Sequence, residues 1–178
     1  MVFVDEPCLG MVDPAALTAE GSSLELALRE VVQSIRSGGA LAGLHCCAAF
    51  PFAVLNRVKP DIVSFDAHAG FEEFFADRDA AAFVSGGGAV AFGLIPAQPG
   101  PPASRGRAGG TSHPEAIAGR FRAAAESEAA RAAGFPPLRY VMRRSLVTAT
   151  CGLAFLDEPA ARESFDQARA VSRLLRAG

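Results

Sequence analysis

The sequence has no tryptophan, a single tyrosine, and no apolar run approaching the roughly 20 residues that a membrane-spanning helix needs. Its basic residues are scattered and nearly all of its aromatic residues are phenylalanines, so it offers neither a phosphate-binding stripe nor a platform for stacking bases. Its first residues do not form a basic and apolar leader. We therefore expect a cytoplasmic protein that has no nucleic-acid or membrane partner.

The composition is that of one globular domain. Of the 178 residues, 50% are hydrophobic and 20% are charged, with a formal net charge of -2, which is ample material for a core. The four cysteines are Cys8, Cys46, Cys47 and Cys151. In a secreted protein they could form two disulfides, but two adjacent cysteines in a leaderless chain favour reduced thiols. We expect Cys8 and Cys46 to pack in the core as small apolar residues.

Apolar runs typical of strands alternate with segments that have helical spacing. The predicted strands are residues 1–5, 41–47, 61–66, 89–95 and 145–151. The first predicted helix is capped at Ser22 or Ser23 and ends before residues 38–39. The others are residues 51–55, 71–75 with an optional extension to 84, 114–133 and 159–175. The segment 97–111 is rich in proline, glycine, serine and arginine, and we expect it to be a mobile loop. A linker that contains Arg143 and Arg144 is expected before the last strand.

Strands that alternate with helices predict an α/β fold with a parallel sheet and right-handed crossovers. A closed (β/α)₈ barrel typically needs about 250 residues, so five strands predict a partial TIM-like (β/α) barrel, a single domain over residues 1–178 that corresponds to the C-terminal portion of such a barrel. An open, doubly wound sheet is the alternative. An incomplete barrel exposes two sheet edges, and we expect these to be covered in a homo-oligomer or by a partner chain that supplies the missing barrel half.

Residues with metal-binding chemistry lie at the ends of two predicted strands. His45 and Cys47 end the second strand, and Cys151 ends the fifth. Because the carboxyl ends of parallel strands converge at one face of a barrel, we expect these three side chains to meet. Imidazole and thiolate are the ligands that zinc prefers, so the sequence predicts a zinc site at this face.

Three short motifs occur in a suggestive order: Asp-Glu-Pro-Cys-Leu at residues 5–9, His-x-Cys at 45–47, and Thr-Cys-Gly-Leu at 150–153. In this order they resemble the catalytic barrel of cobalamin-independent methionine synthase, which is grouped with barrels similar to uroporphyrinogen decarboxylase. The resemblance maps the chain onto the last five strand and helix units of that barrel. It implies a zinc-dependent methyltransferase of methionine biosynthesis, which binds the small thiol homocysteine and prepares it for methyl transfer.

The resemblance also implies roles for individual residues. The zinc ligands that it implies are His45, Cys47, Asp66 and Cys151. Asp5 matches the acid that holds the amino group of homocysteine. Asp66 stands where the family has the longer glutamate, and His68 is the alternative ligand.

The chain departs from the family at the end of the fourth strand. Residues 93–97 contain no ionisable group where the family has a proton-donating histidine, and His113 is the candidate substitute. Two alternatives therefore remain: a catalytically degenerate or truncated barrel fragment or subunit, and a uroporphyrinogen decarboxylase-like enzyme that works without metal. Arg143 and Arg144 disfavour the decarboxylase, because they precede the last strand and so lie at the wrong end to bind tetrapyrrole carboxylates.

Overall fold

The computed structural model describes residues 1–12, 22–67, 70–97 and 113–177. The strands are β1 (Val2–Asp5), β2 (Ala42–Cys46), β3 (Ile62–Asp66), β4 (Ala89–Ile95) and β5 (Ser145–Ala149). The α-helices are α1 (Ser23–Ser37), α2 (Leu55–Val58), α3 (Phe71–Ala76), α4 (Arg78–Ser85), α5 (Pro114–Ala125), α6 (Glu128–Ala133), α7 (Leu138–Arg143) and α8 (Glu158–Arg176). Short 3₁₀ helices span Pro7–Met11 and Phe52–Val54. The predicted mobile loop, apart from the buried Ala97, lies outside the described residues, as does His68.

The five strands form one parallel sheet in the order β1-β2-β3-β4-β5. Each strand lies beside the next one along the chain, which is the arrangement of consecutive units in a (β/α) barrel. A doubly wound sheet reverses its strand order at a switch point, and the described sheet has no such reversal. The predicted α/β fold of about five parallel strands alternating with helices is therefore confirmed.

The outer strands of the described sheet are β1 and β5. Their unpaired edges are the surfaces that a second copy or a partner chain would cover, and that association stays a prediction. Within the described ranges, every helix is too short or too polar to cross a membrane.

Alternate residues along each strand face opposite sides of the sheet. One side carries Leu44, Phe65 and Phe92, which are buried in the main hydrophobic core together with residues of the helices. The ring centroids of Phe74 in α3 and Phe121 in α5 lie 5.2 and 4.8 Å from that of Phe92, which is the usual spacing of favourable aromatic pairs. The phenylalanines of the sequence therefore build the layer between sheet and helices.

Two predicted helices are each divided into two in the structure. Asp77 lies between α3 and α4, and its side chain caps the start of α4 by accepting a hydrogen bond of 2.8 Å from the backbone N–H of Ala80. Ser127 lies between α5 and α6, and its side chain caps the start of α6 by accepting a hydrogen bond of 3.1 Å from the backbone N–H of Ala130. Short polar side chains compete with the helical backbone in this way. The unbroken helix 114–133 and the optional extension of the helix 71–75 to residue 84 were therefore wrong. The predicted linker before β5 is also wrong, because its residues up to Arg143 form α7.

An ion pair ties α1 to the amino ends of two strands. The guanidinium of Arg36 donates to both carboxylate oxygens of Asp61, with an Nη2 to Oδ1 distance of 2.8 Å. The same carboxylate accepts a hydrogen bond of 2.8 Å from the backbone N–H of Ala42, the first residue of β2. The hydrogen bonds from Arg36 are the main reason that the pKa of Asp61 lies below its ordinary value of 3.8.

Replacing Asp61 with asparagine should lower the free energy of unfolding at neutral pH by about 2 kcal/mol. The substitution removes the negative charge that accepts hydrogen bonds from Arg36 and Ala42, and hydrogen bonds to charged groups contribute about this much. Because the folded-state pKa of Asp61 is lowered, its contribution is complete above the ordinary value of 3.8 and disappears as the pH falls through the folded value. The difference between wild type and variant in urea unfolding should therefore shrink in acid. Asp166→Asn, at an exposed helical position, is the matched control and should have little effect. A pH-independent difference would contradict this account.

Candidate metal centre

Three potential metal ligands meet at the carboxyl edge of the sheet. His45 lies in β2, Cys47 follows the last residue of that strand, and Cys151 follows the end of β5 by two residues. One ligand atom from each of the three lies within 4.8 Å of the others. His45 is partly buried, whereas both cysteines are exposed, so the group opens onto the surface.

The closeness of Cys47 and Cys151 requires a curved sheet edge. Two strands separate β2 from β5, and neighbouring strands lie about 4.8 Å apart, so a flat sheet would hold the two strand ends about 14 Å apart. The segment after β5 is anchored toward β4 by two hydrogen bonds: Thr150 N–H donates to the carbonyl of Ile95 at 2.8 Å, and Ala97 N–H donates to Thr150 Oγ1 at 3.0 Å. These bonds position Cys151, which is the next residue.

Gly93 makes this approach sterically feasible. A Cβ atom at this position would lie 2.6 Å from the carbonyl oxygen of Phe65 and 2.8 Å from the Cα of Thr150. Both contacts are with backbone atoms, which cannot rotate away. The glycine therefore lets the chain before Cys151 pack directly on β4, next to an irregularity in the pairing of β4 with β5.

Ser64 orients the imidazole of His45. The two residues are register partners on β2 and β3, and the Nδ1 atom of His45 lies 2.9 Å from the hydroxyl oxygen of Ser64. This hydrogen bond occupies Nδ1 and leaves Nε2 as the ring nitrogen suited to a metal. A hydrogen-bond partner on the second ring nitrogen is the usual support for a metal-binding histidine. Sequence reasoning missed Ser64, although it is a lone hydroxyl within an apolar strand, opposite the histidine.

The pKa of Cys47 is raised above its ordinary value of 9.0, mainly because neighbouring atoms shield part of the thiol from water although the residue as a whole is exposed. The nearby Cys151 adds to this shift, and Cys46 and Asp5 add smaller contributions, while a backbone hydrogen bond opposes it. In the metal-free protein these contributions therefore favour the thiol form of Cys47 over the thiolate. A divalent cation between the sulfurs would reverse this preference, since a coordinated thiol loses its proton.

The other predicted site residues have different positions. Asp66 ends β3 and is not a member of the group of three ligand atoms, so its proposed ligation stays a prediction. Asp5 is the last residue of β1 and is in register with His45. Its negative charge contributes to the raised pKa of Cys47. Cys46 is buried, as expected, with its sulfur 3.9 Å from the carbonyl oxygen of Pro7.

The expectation for Cys8 was wrong, because Cys8 is exposed and its neighbour Leu9 is fully buried instead. The 3₁₀ helix that follows β1 explains the difference. Its start is capped by the Glu6 side chain, which accepts a hydrogen bond of 3.1 Å from Cys8 N–H. The helical turn directs one apolar residue into the core, and that residue is the leucine.

The donor set suits zinc on chemical grounds. One imidazole and two thiols are ligands that zinc prefers, and three protein ligands with an open fourth position are typical of catalytic rather than structural zinc sites. The exposure of both cysteines leaves room for such a fourth ligand.

No protein-family model matches this chain, and neither a curated protein nor a solved structure matches it significantly. Function is therefore inferred from the geometry of the site and from the sequence motifs.

Proposed function

We propose that the chain binds one zinc ion through His45, Cys47 and Cys151 and activates a small thiol of the homocysteine type for methyl transfer. The observation that carries this proposal is the convergence of the three ligand atoms within 4.8 Å of one another. The bound zinc would supply positive charge that lowers the pKa of a substrate thiol, which makes the nucleophilic thiolate abundant at neutral pH.

The protein's own residues would bind and orient the substrate. Ser64 holds the imidazole of His45 in one orientation, so the ligand geometry is set before the substrate arrives. Asp5, at the end of the neighbouring strand, offers a carboxylate to the ammonium group of an amino-acid thiol. The exposed side of the site admits a small molecule directly from solvent.

A proton donor is missing from the strand end where the resemblance places one. The residues from Gly93 to Ala97 carry no ionisable side chain. His113, the candidate substitute, immediately precedes α5, has an 80% exposed side chain and lies 3.7 Å from the carboxylate of Glu115. The absent donor favours a second candidate function, a metal-binding but catalytically degenerate subunit. Because proton donation to a leaving group typically accelerates a reaction by about 10²- to 10⁴-fold, a chain without this donor should transfer methyl groups slowly.

We therefore expect thiol binding without efficient turnover. In a cobalt-substituted sample, adding homocysteine should shift the absorption bands of the metal, because a sulfur enters its coordination sphere. Methyl transfer from methyltetrahydrofolate should be negligible. Cys46→Ala should behave as wild type in the spectral experiment, since its side chain is buried away from the site.

One result would contradict the proposed thiol activation, and a second would contradict only the catalytically degenerate alternative. A cobalt spectrum that does not respond to homocysteine would exclude thiol activation at the metal. Efficient turnover with methyltetrahydrofolate would show that a proton donor is present after all, and loss of that turnover in His113→Ala would identify it.

A further inference from the structure

Cys47 and Cys151 are two exposed, free thiols whose sulfur atoms lie within 4.8 Å of each other. A disulfide needs a sulfur to sulfur distance of about 2.05 Å, so less than about 3 Å has to be closed. Both residues lie beyond the ends of their strands, where the backbone can shift without breaking a ladder hydrogen bond. The pair is therefore close to the geometry of a cross-link.

We propose that Cys47 and Cys151 form a reversible intramolecular disulfide when the chain is metal-free and meets a peroxide, so that the carboxyl edge of the sheet is a redox-sensitive site. Formation of this disulfide depends only on the two thiols and not on the proposed function. Its consequence for metal binding does rest on that function, because the same two sulfurs are the proposed ligands.

The oxidation balances with hydrogen peroxide as the oxidant. One cysteine thiolate attacks a peroxide oxygen, the O–O bond breaks, and a sulfenic acid and hydroxide form. The second thiol attacks the sulfenic sulfur, the S–S bond forms, and the S–O bond breaks to release water. Two sulfurs are oxidised, the two peroxide oxygens are reduced, and the two thiol protons end in two molecules of water. Thiol exchange with an added dithiol reverses the reaction.

The position of the other two cysteines makes the pairing selective. Cys46 is adjacent to Cys47 in sequence, but its side chain is buried and its sulfur lies against the carbonyl oxygen of Pro7. Cys8 is exposed but is not part of the described group of close ligand atoms. Each of them is therefore a control for nonspecific oxidation, one buried and one exposed.

Oxidation and metal binding compete for the same atoms. A disulfide removes both sulfur donors and leaves His45 alone, which is too few ligands for a tight zinc site. Conversely, coordination shields the thiolates, so one equivalent of zinc should slow disulfide formation by about tenfold or more. The site would thus change between a metal-binding and an oxidised state.

The test uses the full chain, reduced and stripped of metal with a chelator that is then removed. After treatment with hydrogen peroxide, the number of free thiols titrated in the unfolded protein should fall from four to two per chain. Peptide mapping without reductant should recover a cross-link between Cys47 and Cys151 in the monomer, and a dithiol should restore all four thiols. Cys8→Ser and Cys46→Ser should still form it, whereas Cys151→Ser should not.

The outcomes separate this proposal from the proposed function. A recovered cross-link in a chain that fails to bind zinc would support the disulfide and reject the metal site. Zinc binding without a cross-link would support the metal site and reject the disulfide. A cross-link between chains, or one that includes Cys46 or Cys8 in place of the proposed pair, would overturn the proposal.

Discussion

Cys151→Ala is expected to abolish stoichiometric zinc binding, whereas wild type should hold about one zinc ion per chain after purification without added metal. The substitution removes one of the three ligand atoms that lie within 4.8 Å of one another. Loss of an outer-shell partner alone typically lowers metal affinity by about 10- to 100-fold, so loss of a direct ligand should lower it further. Elemental analysis of the dialysed proteins measures this directly.

Cys46→Ala is the matched control for this variant. It also removes a sulfur atom, one residue before Cys47, but from a side chain that is buried in the core and lies against the carbonyl oxygen of Pro7. It should retain the zinc and lose some stability, because it leaves a small cavity in the core. If both variants keep the metal, or if both lose it, the assignment of ligands is wrong.

Gly93→Ala is expected to weaken both the fold and the metal site. The added Cβ would lie 2.6 Å from the carbonyl oxygen of Phe65 and 2.8 Å from the Cα of Thr150, and neither backbone atom can move alone. Overpacking of this kind typically costs about 1 to 3 kcal/mol in the free energy of unfolding. Displacement of Thr150 also moves Cys151, so zinc affinity should fall by about 10- to 100-fold, as when a supporting contact of a metal ligand is lost.

Gly119→Ala tests whether this effect is specific. Gly119 lies within α5, and an added Cβ there would meet no atom within 4 Å. The substitution should stabilise the protein by about 0.5 to 1 kcal/mol, since alanine is preferred over glycine inside a helix, and zinc affinity should not change. Denaturant unfolding together with zinc competition by a chromophoric chelator measures both quantities. A Gly93→Ala protein with unchanged affinity would show that the packing of β4 against Thr150 does not position the site.

The fold class was predictable because the core strands are nearly continuous apolar runs. The runs around Val63 and Phe92 are bounded by turn residues and buried on both faces, as expected for strands of a parallel sheet. Parallel pairing follows from these runs and the helices between them, whereas the strand order, which excludes a doubly wound sheet, is known only from the structure. The helix boundaries were harder to predict, since the capping bonds of Asp77 and Ser127 interrupt apolar patterns that continue across them.

The candidate site was predictable only in part. His45, Cys47 and Cys151 stand out because they lie at the ends of apolar runs, and a parallel sheet then brings them to one edge. The positions of Ser64 and Gly93 depend on strand register and on a close backbone approach, which three-dimensional packing determines. The exposure of Cys8 likewise depends on a 3₁₀ turn that directs Leu9 inward instead.

The most direct test of the central claim is zinc-edge X-ray absorption on the purified wild-type protein. A site made by His45, Cys47 and Cys151 predicts two sulfur neighbours at about 2.3 Å and at least one imidazole nitrogen at about 2.0 Å. The sulfur contribution should fall by half in Cys151→Ala reconstituted with excess zinc. A wild-type spectrum that contains only nitrogen and oxygen neighbours, or four sulfurs, would contradict the proposed metal centre.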